Sequence, residues 1–104
     1  MNHAKALTKL KDSLDTLYKE RLRGLYVYGS VARGEARPDS DVDIAMILDD
    51  FERPWPEIQR TGEIVSALSL EYDLTFSLIP VTWQDWSANA KPLVRNIHRE
   101  GVAL

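Results

Sequence analysis

Two aspartates separated by one residue, Asp41 and Asp43, stand at the head of the apolar run "DIAMIL". Aspartate is a poor strand former, and carboxylates held side by side repel one another. Residues two apart in extended backbone point to the same face, so the pair concentrates negative charge. A divalent cation between them removes the conflict. Oxygen ligands without histidine or cysteine favour Mg²⁺ or Mn²⁺ over zinc. Upstream, Gly29 and Ser30 close the run "LYVYG". Glycine lets the backbone come close to a ligand, and a serine hydroxyl and amide at the start of a turn suit phosphate. Arg33 and Arg37, in the stretch between, carry charge that phosphate would meet. Asp73, ahead of another apolar run, offers a third carboxylate. A phosphate-binding turn beside such a carboxylate set is what phosphoryl or nucleotidyl transfer requires.

These residues must be brought together by the elements around them. Leu7, Leu10, Leu14, Leu17 and Tyr18 recur at helical spacing, with lysines and Asp12 between them, and predict an amphipathic helix over 3–21. Gly24 breaks that pattern, and 25–29 reads as a short strand. Gly34, Pro38, Asp39 and Ser40 make 30–40 a loop, with room for one helical turn at 30–34. Residues 43–48 are a near-continuous apolar run, as expected for a strand covered on both faces. A turn-rich connection leads to a helix at about 56–70, weakened by Gly62. Residues 72–81 alternate as a third strand. Thr82 can cap a short turn, and Asn89 a last helix with Pro92 in its first turn and Gly101 just beyond its end.

The middle unit, strand–helix–strand, predicts a right-handed crossover with its two strands parallel. Asp43 and Asp73, both expected at strand starts, then share one edge of the sheet. If the strand at 25–29 lies antiparallel to 43–48, Gly29 and Ser30 arrive at that edge too. The fold class is a small mixed α/β (α+β) sheet of three to four strands flanked by helices, in a single domain spanning 1–104.

Composition narrows the function. The 104 residues carry a formal net charge of −3, which argues against binding nucleic acid directly through bulk electrostatics. The absence of cysteine excludes disulfides and thiolate metal sites. No apolar run approaches a membrane span, and the amphipathic start lacks the apolar core of a signal peptide, so a cytoplasmic protein is expected.

The stretch "GSVARGEARPDSDVDIAMIL" resembles the signature of the DNA polymerase beta-type nucleotidyltransferase superfamily: Gly-Ser, ten residues, then Asp-x-Asp leading into an apolar strand. Within it the chain is similar to the minimal nucleotidyltransferases, the MntA-like antitoxin partners of HEPN-domain toxins. The resemblance runs from the first helix to the ending "PLVRNIHREGVAL". It implies that Gly29 and Ser30, with Arg33 and Ser40, hold the triphosphate of ATP. It implies that Asp41, Asp43 and Asp73 hold Mg²⁺, as two ions, with Mn²⁺ as an alternative, and that Asp73 helps to deprotonate the attacking hydroxyl. The implied reaction moves AMP from ATP to a tyrosine of a HEPN-type ribonuclease toxin. Larger relatives add a helical domain that shapes the acceptor site, and its lack here points to a partner chain supplying that surface. Two other readings stay open: an antitoxin that neutralises its toxin by binding alone, and the nucleotide-binding subunit of a two-chain enzyme acting on a small molecule.

Other conspicuous residues have plainer roles. His3 and His98 read as solvent-exposed rather than as ligands. Trp55, between two prolines, reads as a loop aromatic capping the core. Trp83 and Trp86 would share a face of a helical turn, covering the core or meeting a partner. Lys91, Arg95 and Arg99 form a basic stripe of the kind usually left in solvent.

Overall fold

The run at 43–48 forms the central strand, and its burial explains the rest of the architecture. The computed structural model describes residues 3–37 and 41–104. Helix α1 (His3–Tyr18) ends in a 3-10 turn at Lys19–Arg21. Strand β1 (Leu22–Tyr28) leads into a one-turn helix α2 (Gly29–Ala32). Strand β2 (Val42–Leu48) is followed by the long helix α3 (Pro54–Tyr72) and strand β3 (Phe76–Thr82). Helix α4 (Trp83–Ala88), helix α5 (Pro92–Glu100) and a two-residue strand β4 (Val102–Ala103) complete the chain. The sheet order is β3-β2-β1-β4. β2 runs antiparallel to β1 and parallel to β3, and β4 adds antiparallel to β1.

Alternate residues of β2 serve two cores. Val42, Ile44, Met46 and Leu48 pack with Leu10 and Leu14 of α1 and Leu68 of α3. Ala45 and Ile47 pack with Trp86, Val94 and Ile97 from α4 and α5. Each of these β2 side chains is fully buried, which is why the run lacks polar alternation. A buried hydrogen bond at 2.9 Å, from the Tyr18 hydroxyl to Glu57 Oε1, ties α1 to α3.

Several expectations need correction. Gly24 lies inside β1, beside an irregularity in its pairing with β2, and does not end the preceding element. The third strand begins at Phe76, so Asp73 is not at a strand start. Helix α3 continues to Tyr72 because Ile64, Val65 and Tyr72 pack at helical spacing against the first core. Asp73 then closes it as a left-handed residue with φ 52°. Asn89 likewise caps the C-terminus of α4 with φ 50°, while Lys91 precedes α5; Asp73 and Asn89 are short polar residues that tolerate the left-handed conformation. Thr82 does cap α4, its hydroxyl accepting from the Asp85 amide at 3.1 Å. Trp55 is 62% exposed in the first turn of α3 and caps no core. Trp86 is buried between Tyr26 and His98, with ring centroids 4.6 and 3.6 Å away. Trp83 lies under the Arg23 guanidinium at 4.3 Å. The basic stripe makes local contacts, among them Lys91 to Asp85 at 2.8 Å.

Candidate functional site

The antiparallel register sets Tyr28 opposite Asp43, and the parallel register sets Ser77 beside it. Residues paired in this way share a face, so Tyr28, Asp43 and Ser77 form one row. It lies on the face covered further along by α4 and α5, because Ala45, two residues on from Asp43, packs there. Asp41 is exposed just ahead of β2, where the Val42 amide donates to the Thr75 carbonyl at 2.8 Å.

Gly29 joins the phosphate-type turn to the carboxylates. It has φ +74°, and a Cβ built there would lie 2.5 Å from Asp43 Oδ2. Only glycine lets the turn close against this carboxylate. The turn is held by bonds from Arg33 N to Gly29 O (3.1 Å) and from Glu35 N to Ser30 O (2.9 Å). Burial, then the charge of Asp41, push the Asp43 carboxyl above the usual carboxylate range, and Arg33 opposes them. Burial, then the charge of Asp43, push the Tyr28 hydroxyl up.

Arg33 is held from two sides. Its Nε donates to Glu35 Oε2 at 3.0 Å, and its Nη1 to both carboxylate oxygens of Glu100 at 3.3 Å. The Gly29 amide donates to Glu100 Oε1, also at 3.3 Å. Glu100, Tyr28 and Ser77 were not singled out in the sequence. Alternation along β1 is a signal for Tyr28; Glu100 has none, because its place depends on the final strand.

Of the residues expected to act together, the fold joins Gly29, Ser30, Arg33, Asp41 and Asp43 at one sheet edge. Ser40 lies outside the described residues. Asp73 is exposed at the end of α3, three residues before β3. Among the described residues, no three histidine, cysteine or acidic side chains gather closely enough to hold a metal ion, so Asp73 does not join the pair. The position beside Asp43 on β3 is taken by Ser77. Asp41 and Asp43 still suit a hard divalent cation: their donors are oxygens, and each places like charge beside the other.

Residues 7–102 match the family described as the nucleotidyltransferase domain. The chain belongs to this family. This nucleotidyltransferase is 36% identical over 111 aligned residues to "Putative protein adenylyltransferase MJ0604" of Methanocaldococcus jannaschii, covering 100% of this chain and 99% of that one. It is 32% identical over 73 residues to "Putative protein adenylyltransferase MJ0141" of the same organism, covering 70% and 73%. Its fold matches a crystal structure of a toxin-antitoxin with AMP-PNP at a TM-score of 0.66 and 19% identity, covering 97% of this chain and 71% of that one. Among the described residues no helix is long and apolar enough to cross a membrane.

Proposed function

We propose that this nucleotidyltransferase transfers AMP from ATP to a hydroxyl of a partner protein, a tyrosine of a HEPN-type toxin, and acts in the cytoplasm as that toxin's antitoxin. The observation that carries the reading is the close approach of the Gly29 backbone to the Asp43 carboxylate, so close that a Cβ at Gly29 would meet it; it supports a phosphate-binding turn acting beside a pair of carboxylates suited to a cation. The names of the curated relatives support protein adenylylation, and the toxin-antitoxin fold neighbour with AMP-PNP supports the partner and the nucleotide.

In this proposal Gly29, Ser30 and Arg33 hold the triphosphate, and Asp41 and Asp43 hold Mg²⁺. When bound, the cation would neutralise phosphate charge at the reacting centre. The partner's hydroxyl oxygen attacks the α-phosphorus in line, the bond from the α-phosphorus to its bridging oxygen breaks, and pyrophosphate leaves. The hydroxyl proton passes to solvent or to a nearby carboxylate. Arg33 and the Gly29 amide stabilise charge on the departing phosphates. The surface that positions the acceptor belongs to the partner.

One observation favours a second reading, an antitoxin that works by binding alone: among the described residues, no third acidic side chain gathers with Asp41 and Asp43 closely enough to hold a metal ion. Co-expression with the toxin separates the two. The catalytic reading expects the toxin to gain the mass of AMP and to lose it when Asp43→Asn is co-expressed. Neutralisation by Asp43→Asn with no added mass supports the binding reading.

A further inference from the structure

Helix α5 ends at Glu100, and its carboxylate faces inward with the side chain 21% exposed. It meets two kinds of donor, a glycine amide in a tight turn and a guanidinium. These are the donors that a phosphate oxygen takes. Glu100 therefore occupies, as an anion, the place that the proposed function gives to a nucleotide phosphate.

The placement is built by the fold. Val94 and Ile97 anchor α5 on Ala45 and Ile47. The chain then turns at Gly101, whose amide donates to the Ile97 carbonyl at 2.7 Å. β4 pairs with Tyr26 and Val27 of β1, and the Leu104 amide donates to the Leu25 carbonyl at 2.9 Å. Glu100 is the link between the helix and this last strand. It also adds a carboxylate to an edge already holding Glu35, Asp41 and Asp43. A like charge brought there raises the electrostatic cost unless its bonds to Gly29 and Arg33 offset it. When a triphosphate takes those donors, Glu100 loses its compensation beside more negative charge. The single N–H of Gly29 cannot serve both the phosphate and the Glu100 carboxylate.

We propose that Glu100 is a built-in competitor of the nucleotide. It holds the Gly29 amide and Arg33 in the nucleotide-free protein, and the triphosphate displaces it, loosening the α5–β4 strap. The proposal rests on the nucleotide-binding reading of the same turn. The alternative role, positioning Arg33 for phosphate, has the opposite consequence: removing the charge would then weaken binding.

The test is calorimetric titration of the full chain with Mg²⁺-ATP, comparing wild type, Glu100→Gln and Glu100→Asp. Gln removes the charge, and Asp keeps it on a shorter side chain, which guards against a folding defect in either variant. Competition by a charge-assisted contact leads to an expected tightening of about five- to tenfold in both. Amide exchange at 102–104 in the wild type should quicken on adding Mg²⁺-ATP. Unchanged or weaker binding by both variants, with the wild type binding, overturns the competitor and leaves the proposed function standing. No binding by any of the three proteins overturns both.

Discussion

Replacing Gly29 by alanine tests whether the turn and the carboxylate pair act as one site, and Gly34 supplies the control. Both glycines are left-handed, with φ +74° and +72°. Alanine in that region costs about 1–2 kcal/mol at either position from backbone strain alone. The surroundings differ. A Cβ at Gly34 meets nothing within 4 Å, whereas at Gly29 it lies 2.5 Å from Asp43 Oδ2. That is about 1 Å short of an ordinary contact, so the carboxylate must withdraw by a similar distance. Asp43 is half-buried, and the atom met is the far end of its short side chain. The added loss of stability is therefore at most about 1 kcal/mol, the low end of overpacking costs. Displacing a proposed cation ligand by about 1 Å should instead lower transfer roughly 10²-fold. The assay pairs urea unfolding, followed by tryptophan fluorescence, with single-turnover transfer of labelled AMP to the partner. Gly34→Ala should lose stability but keep its rate; Gly29→Ala should lose a little more stability and most of its rate. Equal rates in the two variants would refute the claim that Gly29 works through Asp43.

Three further outcomes are expected. The folded-state pKa of Asp43 is raised, so the stability it contributes is full below its unfolded value and is lost as pH rises through the folded one. At neutral pH Asp43→Asn should therefore stabilise the metal-free protein, by about 0.5 kcal/mol or less after solvent screening, and abolish the melting-temperature rise given by Mg²⁺-ATP; thermal melts with and without ligand check both. Tyr18→Phe removes the buried donor to Glu57 and should cost about 1–3 kcal/mol by urea unfolding. Burial, then the bond to Glu57, push the Tyr18 hydroxyl up to about 12, so its stabilising contribution is full below pH 10 and lost between there and about 12, and ultraviolet titration should show a late tyrosine that the variant lacks. Asp73→Asn keeps a residue type that tolerates the left-handed cap, so stability should change by about 0.5 kcal/mol or less and single-turnover transfer by less than about threefold; a drop of about 10² or more would restore Asp73 as a base.

The residues that can be read from the sequence are those whose placement depends on nearby chain. The two-residue period of extended backbone fixes the shared direction of Asp41 and Asp43, the unbroken apolar run from Ile44 to Leu48 marks β2 as covered on both faces, and neither needs distant information. Asp73 fails this test because two patterns overlap there. Leu68, Tyr72 and Phe76 continue a helical spacing, while residues 72–81 also alternate. The helical pattern wins as far as Tyr72, since Ile64, Val65, Leu68 and Tyr72 reach the core shared with α1. The strand is delayed to Phe76, and Ser77 rather than an aspartate arrives beside Asp43. Glu100 lies beyond any local pattern. Its position follows from β4, a strand of two residues, too short to register as alternation and formed because β1 offers an edge for it to pair with. An acidic side chain at the end of α5 reads locally as one more exposed charge, and only the return of the chain onto β1 turns it toward Gly29. The same dependence underlies the proposed displacement: a carboxylate held by a short edge strand and three 3.3 Å bonds, one from Gly29 and two from Arg33, would yield to a ligand without disturbing the β2 core that fixes Asp43.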